Sequence, residues 1–135
     1  PMNILKAKIS TTEEKLKFEI LNDRNEKTFS INFNKDNLQK DNLAKLSNDQ
    51  LITLGIRPHK IFFNEKDSNF DGKASSSSYH WLGDQVHIGI EINGSSIIGV
   101  ADRNFEPSSD VKLNFPAESI NIFNLETEEV ILNGL

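Results

Sequence analysis

The sequence contains no cysteine and no long apolar run. Without cysteine the chain can form neither disulfides nor thiolate metal sites. No stretch approaches the roughly 20 apolar residues that span a bilayer. The start of the chain also lacks the basic, apolar and small-residue segments of a signal peptide. These absences predict a cytoplasmic protein.

Basic charge is scarce as well. The chain has 15 Lys and Arg against 20 Asp and Glu, a formal net charge of −5 over 135 residues. A nucleic-acid-binding surface needs clustered basic side chains. Here lysines such as Lys15 and Lys17 are interleaved with carboxylates and fit a solvated strand face. We therefore predict one globular domain without a nucleic-acid partner.

Catalytic motifs are absent too. The sequence has no GxxxxGK[ST] phosphate loop, no nucleophile elbow and no His/Asp/Ser set. We predict that this chain is not an enzyme and that it binds no cofactor. It should not hydrolyse ATP by itself.

Two sequence features resemble metal sites only in part. Asp67-x-Asn69-x-Asp71-Gly72 matches the start of a calcium loop, but its twelfth position is Ser78 instead of a bidentate Glu. A hairpin loop rich in Asp, Asn and Gly is the better interpretation. The three histidines, none of them two residues from another, are His59, His80 and His87. We predict no metal site.

Alternation of apolar and polar residues dominates the chain and predicts half-buried strands. The clearest alternating sets are Leu5/Ala7/Ile9, Leu16/Phe18/Ile20, Phe29/Ile31/Phe33, Val86/Ile88/Ile90/Ile92 and Val111/Leu113/Phe115. The first three sets predict a meander, and residues 36–50 predict one short helix or an irregular connector. We also predict strands around 51–57 and 60–65, a strand through the serine run 75–78 and a two-residue hairpin turn at Asn93-Gly94. Many short strands with regular turns indicate a sandwich or small barrels.

The stretch from Leu54 to His59 is the predicted joint between two small β-units. Pro58 holds Arg57 in an extended conformation and cannot donate to a sheet ladder, so the strand should stop or bend sharply there. Gly55 should let another backbone approach closely. Arg57 could bind an anion, pair across a subunit interface, or hydrogen-bond loop carbonyls or a carboxylate at the seam.

Four segments, taken in order, resemble one family. Leu54-Gly55-Ile56-Arg57-Pro58 resembles the L-G-I-R-P-E signature in the C-terminal regulatory domain of maltose-type (MalK-like) ATPase subunits of carbohydrate ABC importers. Pro1-Met2-Asn3-Ile4-Leu5 is similar to the P-x-M-N-F-L pattern with which that domain begins, and the chain reads as a piece of something longer. Leu82-Gly83-Asp84 resembles the E-x-L-G-x-E segment, and residues 115–124 resemble the closing F-x-P-x-x-x-H-L-F stretch.

The chain departs from the family at two positions. His59 stands where the family has the glutamate after Arg-Pro, and His80 stands where it has the glutamate two residues before Leu-Gly. Both changes replace a carboxylate with a group that titrates near neutrality. They remove the basis for assigning an acidic contact or a particular sugar.

The resemblance implies an all-β fold of OB-like small β-barrels with interleaved segments, of the TOBE (transport-associated OB) or MOP-like type. Residues 1–135 would form one regulatory domain with two interleaved OB-like halves joined near 51–65. Such a domain would hold two ATPase subunits together as a homodimer during the transport cycle. The parent protein would use ATP and Mg²⁺ and contact membrane permease subunits through its ATPase domain. It would lie at the inner face of the cell membrane and could bind a regulatory protein.

The predicted motif and interface residues are Gly55, Arg57, Pro58, Trp81, Leu82 and Gly83. Trp81 shares a strand with Tyr79 beside the serine run and fits a packing or interface role. By contrast, Phe18, Phe29 and Phe115 share the apolar phase of their strands and should lie in the core. The alternative function is a small-ligand-binding OB-like module for an oxyanion or a sugar, with Arg57 as the candidate residue.

Overall fold

A computed structural model describes residues 2–63, 66–106 and 110–135. The strands are β1 (Asn3–Thr11), β2 (Lys15–Leu21), β3 (Lys27–Asn34), β4 (Leu51–Ile56), β5 (Phe62–Phe63), β6 (Phe70–Asp71), β7 (Ala74–Leu82), β8 (Gln85–Ile92), β9 (Ser95–Asp102), β10 (Leu113–Asn114), β11 (Asn121–Asn124) and β12 (Val130–Asn133). The helices are α1 (Lys40–Leu43) and three 3₁₀ turns at Lys35–Asn37, Pro58–Lys60 and Ala117–Ser119. The predicted all-β fold class is confirmed.

A seven-stranded antiparallel sheet with the order β12-β11-β4-β1-β2-β3-β6 forms the larger part of the fold. Strands β1, β2 and β3 are neighbours, as the predicted meander requires. The C-terminal strand β11 pairs with β4, with Asn121 opposite Gly55. Strands from the beginning and from the end of the chain therefore lie in the same seven-stranded sheet, as the predicted interleaving of segments requires.

The second sheet has three strands in the order β7-β8-β9. The serine run lies inside β7, as predicted, and the Asn93-Gly94 turn joins β8 to β9 with positive φ at both residues. The apolar residues of β8 are all fully buried, and they are Val86, Ile88, Ile90 and Ile92. The opposite face of β8 carries His87 and Glu91, so this sheet has one face in the core and one towards solvent.

The core contains the aromatic residues that the alternation predicted. Phe18, Phe29 and Phe115 are the largest fully buried side chains. The rings of Phe18 and Phe33 meet edge to face at a centroid distance of 6.1 Å. Ring packing of this kind adds to the burial of apolar area, which is the main stabilising contribution.

Local predictions failed where pairing partners are short. The stretch from Val111 to Phe115 alternates, but only Leu113–Asn114 forms a ladder, because its partner β5 has just two residues. The predicted strand over 60–65 is reduced to β5, and its last two positions lie outside the described residues. The connector 36–50 contains a 3₁₀ turn and the single-turn helix α1. The two OB-like halves joined near 51–65 stay a prediction.

Among the described residues, no helix has the length and apolar character that crossing a bilayer needs.

Candidate functional site

The connector after β4 places two polar side chains at the surface. β4 ends at Ile56, and Arg57 is extended with φ −71° and ψ 138°, as expected before proline. Pro58 then begins a 3₁₀ turn in which the Lys60 amide donates to the Arg57 carbonyl at 3.0 Å. This turn packs against β9. Arg57 and His59 are consequently held beside the three-stranded sheet.

A pocket of about 410 Å³ lies between this connector, the first residues of the chain and the solvent face of β8 and β9. Its polar lining consists of Asn3, Arg57, His59, Gln85 and His87. These side chains come from three segments that are far apart in the sequence. The pocket is hereafter the Arg57 pocket.

The rest of the Arg57 pocket is apolar. This part of the lining consists of Met2, Pro58, Ile98 and Val100. Ile98 is 48% exposed although it is a large apolar residue. Val100 lies opposite His87 in the β8–β9 ladder. The apolar side chains of Ile98 and Val100 on β9 therefore lie beside the polar side chains of Gln85 and His87 on β8.

The guanidinium of Arg57 has no protein partner among residues 2–63, 66–106 and 110–135. The side chain is exposed, and no carboxylate or carbonyl there pairs with it. Two carboxylates lie beside the pocket residue Gln85: Asp84 precedes it in the turn, and Asp102 is opposite it in the β8–β9 ladder. An arginine without an internal partner keeps all five of its donors available. Of the roles predicted for Arg57, hydrogen bonding to loop carbonyls or to a carboxylate at the seam is therefore not realised in the described chain.

Asn3 fixes one wall of the pocket. Its Nδ2 donates to the carbonyl oxygens of Ile98 at 2.8 Å and Ile56 at 3.2 Å, and its Oδ1 accepts from the Ile98 amide at 2.8 Å. One side chain thus ties the seven-stranded sheet to the edge of β9. Both N–H donors of the Asn3 amide are used in these bonds, so Asn3 positions the wall and leaves donation to an anion to its neighbours.

All three histidines lie at or beside this pocket. His59 and His87 line it, and His80 lies directly opposite His87 in the β7–β8 ladder. Linear spacing could not reveal this arrangement, because it depends on the register of the hairpin. In the described part of the chain, no group of three or more His, Asp or Glu side chains is arranged to hold a metal ion.

The predicted residue Gly55 has a packing role. A side chain there would collide with the Met2 sulfur, and a Cβ would lie only 2.8 Å from the ring of Phe123. The predicted close approach is present, but it comes from two side chains instead of a backbone. Asn121 also donates from Nδ2 to the Gly55 carbonyl at 3.1 Å. Gly55 thus joins the beginning and the end of the chain.

The other predicted residues lie at the β7–β8 hairpin. Trp81 is 50% exposed and Leu82 is 49% exposed. Leu82 pairs with the pocket residue Gln85, whereas Trp81 pairs with Val86 and so points to the other face of the sheet. Gly83 has φ +65° in the turn, a conformation that glycine adopts without strain.

A second cavity, of about 580 Å³, lies beside the loop that resembles a calcium site. Its lining includes Asn32, Asp67 and Asn69. Asn69 donates from Nδ2 to the Phe115 carbonyl at 2.8 Å and accepts from the Phe115 amide at 2.9 Å. The amide at the third position of the loop is therefore a structural clamp.

No protein-family model matches the sequence, and no curated protein matches it either. Among solved structures, the chain is similar to the cytoplasmic molybdate-binding protein ModG with molybdate bound. The two share 8% sequence identity, the match covers 89% of this chain and 94% of that one, and the TM-score is 0.57. At this identity the likeness establishes a common fold, and it supports the coarser part of the resemblance, a TOBE-like domain. The chain is an all-β protein of the OB-like class.

Proposed function

We propose that this chain is a small-ligand-binding module whose Arg57 pocket takes an anion. The observation that carries the proposal is a guanidinium that has no partner among the described residues, in a pocket that also holds His59, His87 and Gln85. The fold neighbour supports it, since ModG is described as a molybdate-binding protein. This function is that of a binding protein and requires no catalytic group.

The chemistry of the pocket suits a negatively charged oxygen group. Arginine presents a planar fork of donors that matches carboxylate, phosphate and similar oxyanions. Gln85 can donate from its amide, and the imidazoles of His59 and His87 can supply further N–H donors. Arg57 takes part in none of the ion pairs found among the described residues, which involve Lys8, Arg24 and Lys27, so its charge is available to a ligand.

Substitution of Arg57 tests the proposal. Arg57→Gln should weaken anion binding about 10- to 100-fold, because losing a hydrogen bond to a charged group costs about 1.5 to 3 kcal/mol. Isothermal titration calorimetry with molybdate, sulfate, inorganic phosphate, a phosphosugar and phenyl phosphate measures the effect. Arg24→Gln is the matched control, since Arg24 pairs with Glu26 at 2.9 Å in the β2–β3 turn. Failure of every anion to bind the unmodified chain at millimolar concentration would refute the proposal.

A second candidate function is the regulatory and dimerisation domain of the ATPase subunit of a carbohydrate ABC importer. The sequence resemblance supports it. Three of the four resembling segments also meet around Gly55, since Met2 contacts it and Asn121 pairs with it. On this proposal the parent binds ATP and Mg²⁺, contacts permease subunits through its ATPase domain, and works as a homodimer at the inner face of the membrane.

The edge of β7 favours a second copy of the chain as a partner. From Ser77 to Leu82 every residue is exposed, and Ser78 to Leu82 pair, within the described residues, with β8 alone. Edge strands are usually protected by charges, proline or bulges. β7 contains no Lys, Arg, Asp or Glu and has only a bulge between Ser76 and Ser78. A twofold axis would pair this uncharged edge antiparallel with itself, away from the acidic surface elsewhere.

Charge introduced into β7 tests this dimer. Sedimentation at high micromolar concentration should give a dimer for the unmodified chain and a monomer for Trp81→Lys, because a lysine at a paired edge must lose its hydration. Val130→Lys is the matched control, since Val130 is 53% exposed on β12, the edge strand of the other sheet. A strict monomer for the unmodified chain, or an unchanged dimer for Trp81→Lys, would contradict the proposal.

A further inference from the structure

The Arg57 pocket has an apolar wall that a bare inorganic ion would not use. Ile98 and Val100 lie two residues apart on β9 and therefore share the face that looks into the pocket. Ile98 is 48% exposed, and Met2 and Pro58 extend the same apolar surface. Half-exposed apolar side chains grouped in a concave site are characteristic of pockets for organic ligands.

Ile98 is exposed through its side chain, whereas its backbone is not free to pair with another strand. Its backbone amide and carbonyl are both bonded to the side chain of Asn3, at 2.8 Å each. A peptide could not add to β9 at this residue without breaking both bonds. The surface that remains available at Ile98 is its side chain, so an occupant must contact it through apolar atoms.

The volume of the Arg57 pocket and the kind of hydrogen-bond donors in it also favour an organic ligand over an inorganic ion. A volume of about 410 Å³ falls in the range of small organic ligands. Inorganic oxyanions are commonly held by several converging backbone amides at a helix N-terminus or in a backbone nest. In the Arg57 pocket the donors are instead the side chains of Arg57, His59, Gln85 and His87. The same pocket is lined by the apolar residues Met2, Pro58, Ile98 and Val100.

We propose that the ligand is a small organic anion, a carboxylate or phosphate monoester with an apolar body. This inference rests on the proposed anion-binding function and narrows its ligand class. The charged group of the ligand faces Arg57 and the polar side chains of Gln85 and His87 on β8. The apolar body covers Ile98 and Val100 and removes them from water.

Calorimetry with paired ligands tests the inference. Phenyl phosphate should bind at least tenfold more tightly than inorganic phosphate, and benzoate at least tenfold more tightly than acetate. Ile98→Thr keeps a β-branched side chain on the strand and should reduce that preference several-fold, because it should weaken phenyl phosphate more than inorganic phosphate. Arg57→Gln should weaken all four ligands. Val130→Thr is the control, an exposed β-branched apolar residue on β12, and should change nothing.

The outcomes separate this inference from the function on which it rests. Equal affinity for phenyl phosphate and inorganic phosphate, or tighter binding of molybdate than of phenyl phosphate, would overturn the organic ligand and leave anion binding intact. An organic preference that Ile98→Thr does not reduce would also overturn it. Absence of binding by every anion tested would overturn both proposals.

Discussion

Phe115→Ala is expected to lower the free energy of unfolding by about 3 to 5 kcal/mol, the usual cost of removing a buried phenylalanine ring. Phe115 is 0% exposed and follows β10, where the chain re-enters the core. Its backbone is held on both sides, since Asn69 bonds to its amide and to its carbonyl. The surrounding chain cannot relax easily into the space that is left. Urea unfolding followed by circular dichroism measures the difference.

Phe62→Ala is the matched control for Phe115→Ala. Phe62 lies on β5, the partner of β10, and is 46% exposed. The same atoms are deleted, but much of the ring is already in water, so the loss should be less than half as large. Equal destabilisation by the two substitutions would contradict the assignment of Phe115 to the core.

Alternation of apolar and polar residues predicted much of the fold because sheet faces repeat every two residues. The buried sets on β1, β2, β3 and β8 could be identified from this pattern alone. The serine run in β7 required a different argument, since its composition suggests a linker. Its place between a turn and Tyr79 favoured a strand, and β8 does pair with it along most of its length.

The candidate site could be predicted only in part because it depends on register and long-range contacts. Arg57 was identified from its position before proline. The pocket also needs His87, whose alignment with His80 depends on hairpin register, and Asn3, which bonds to a residue 95 positions away. Such a contact leaves no local pattern in the sequence. The lengths of β5 and β10 could not be predicted for the same reason, since they pair with each other over only two residues.

The resembling motif around Gly55 also connects the fold to the site. Met2 lines the Arg57 pocket, and its side chain occupies the space that a Cβ on Gly55 would need. Phe123 of β11 closes the same space from the other side. A glycine in β4 therefore allows the beginning and the end of the chain to pack beside the pocket. This packing gives the glycine a structural role within the chain, and its predicted interface role stays a prediction.

Gly55→Val is expected to destabilise the chain by about 3 kcal/mol, the upper part of the usual range for overpacking. Gly55 is buried in a central strand that pairs with β1 and β11, so the added methyl groups cannot move to solvent. The Met2 side chain can be displaced because it is flexible, whereas the Phe123 ring must shift as a rigid body. Thermal and urea unfolding both measure the loss.

A double substitution separates the two collisions. Met2→Ala removes one of the two groups in the way, so Gly55→Val combined with Met2→Ala should be less destabilised than the sum of the single changes. The difference from additivity gives the share of the strain that Met2 carries. Because Met2 also lines the Arg57 pocket, Met2→Ala alone should weaken phenyl phosphate more than inorganic phosphate. Strict additivity in stability would contradict the packing of Met2 against Gly55, whatever the pocket binds.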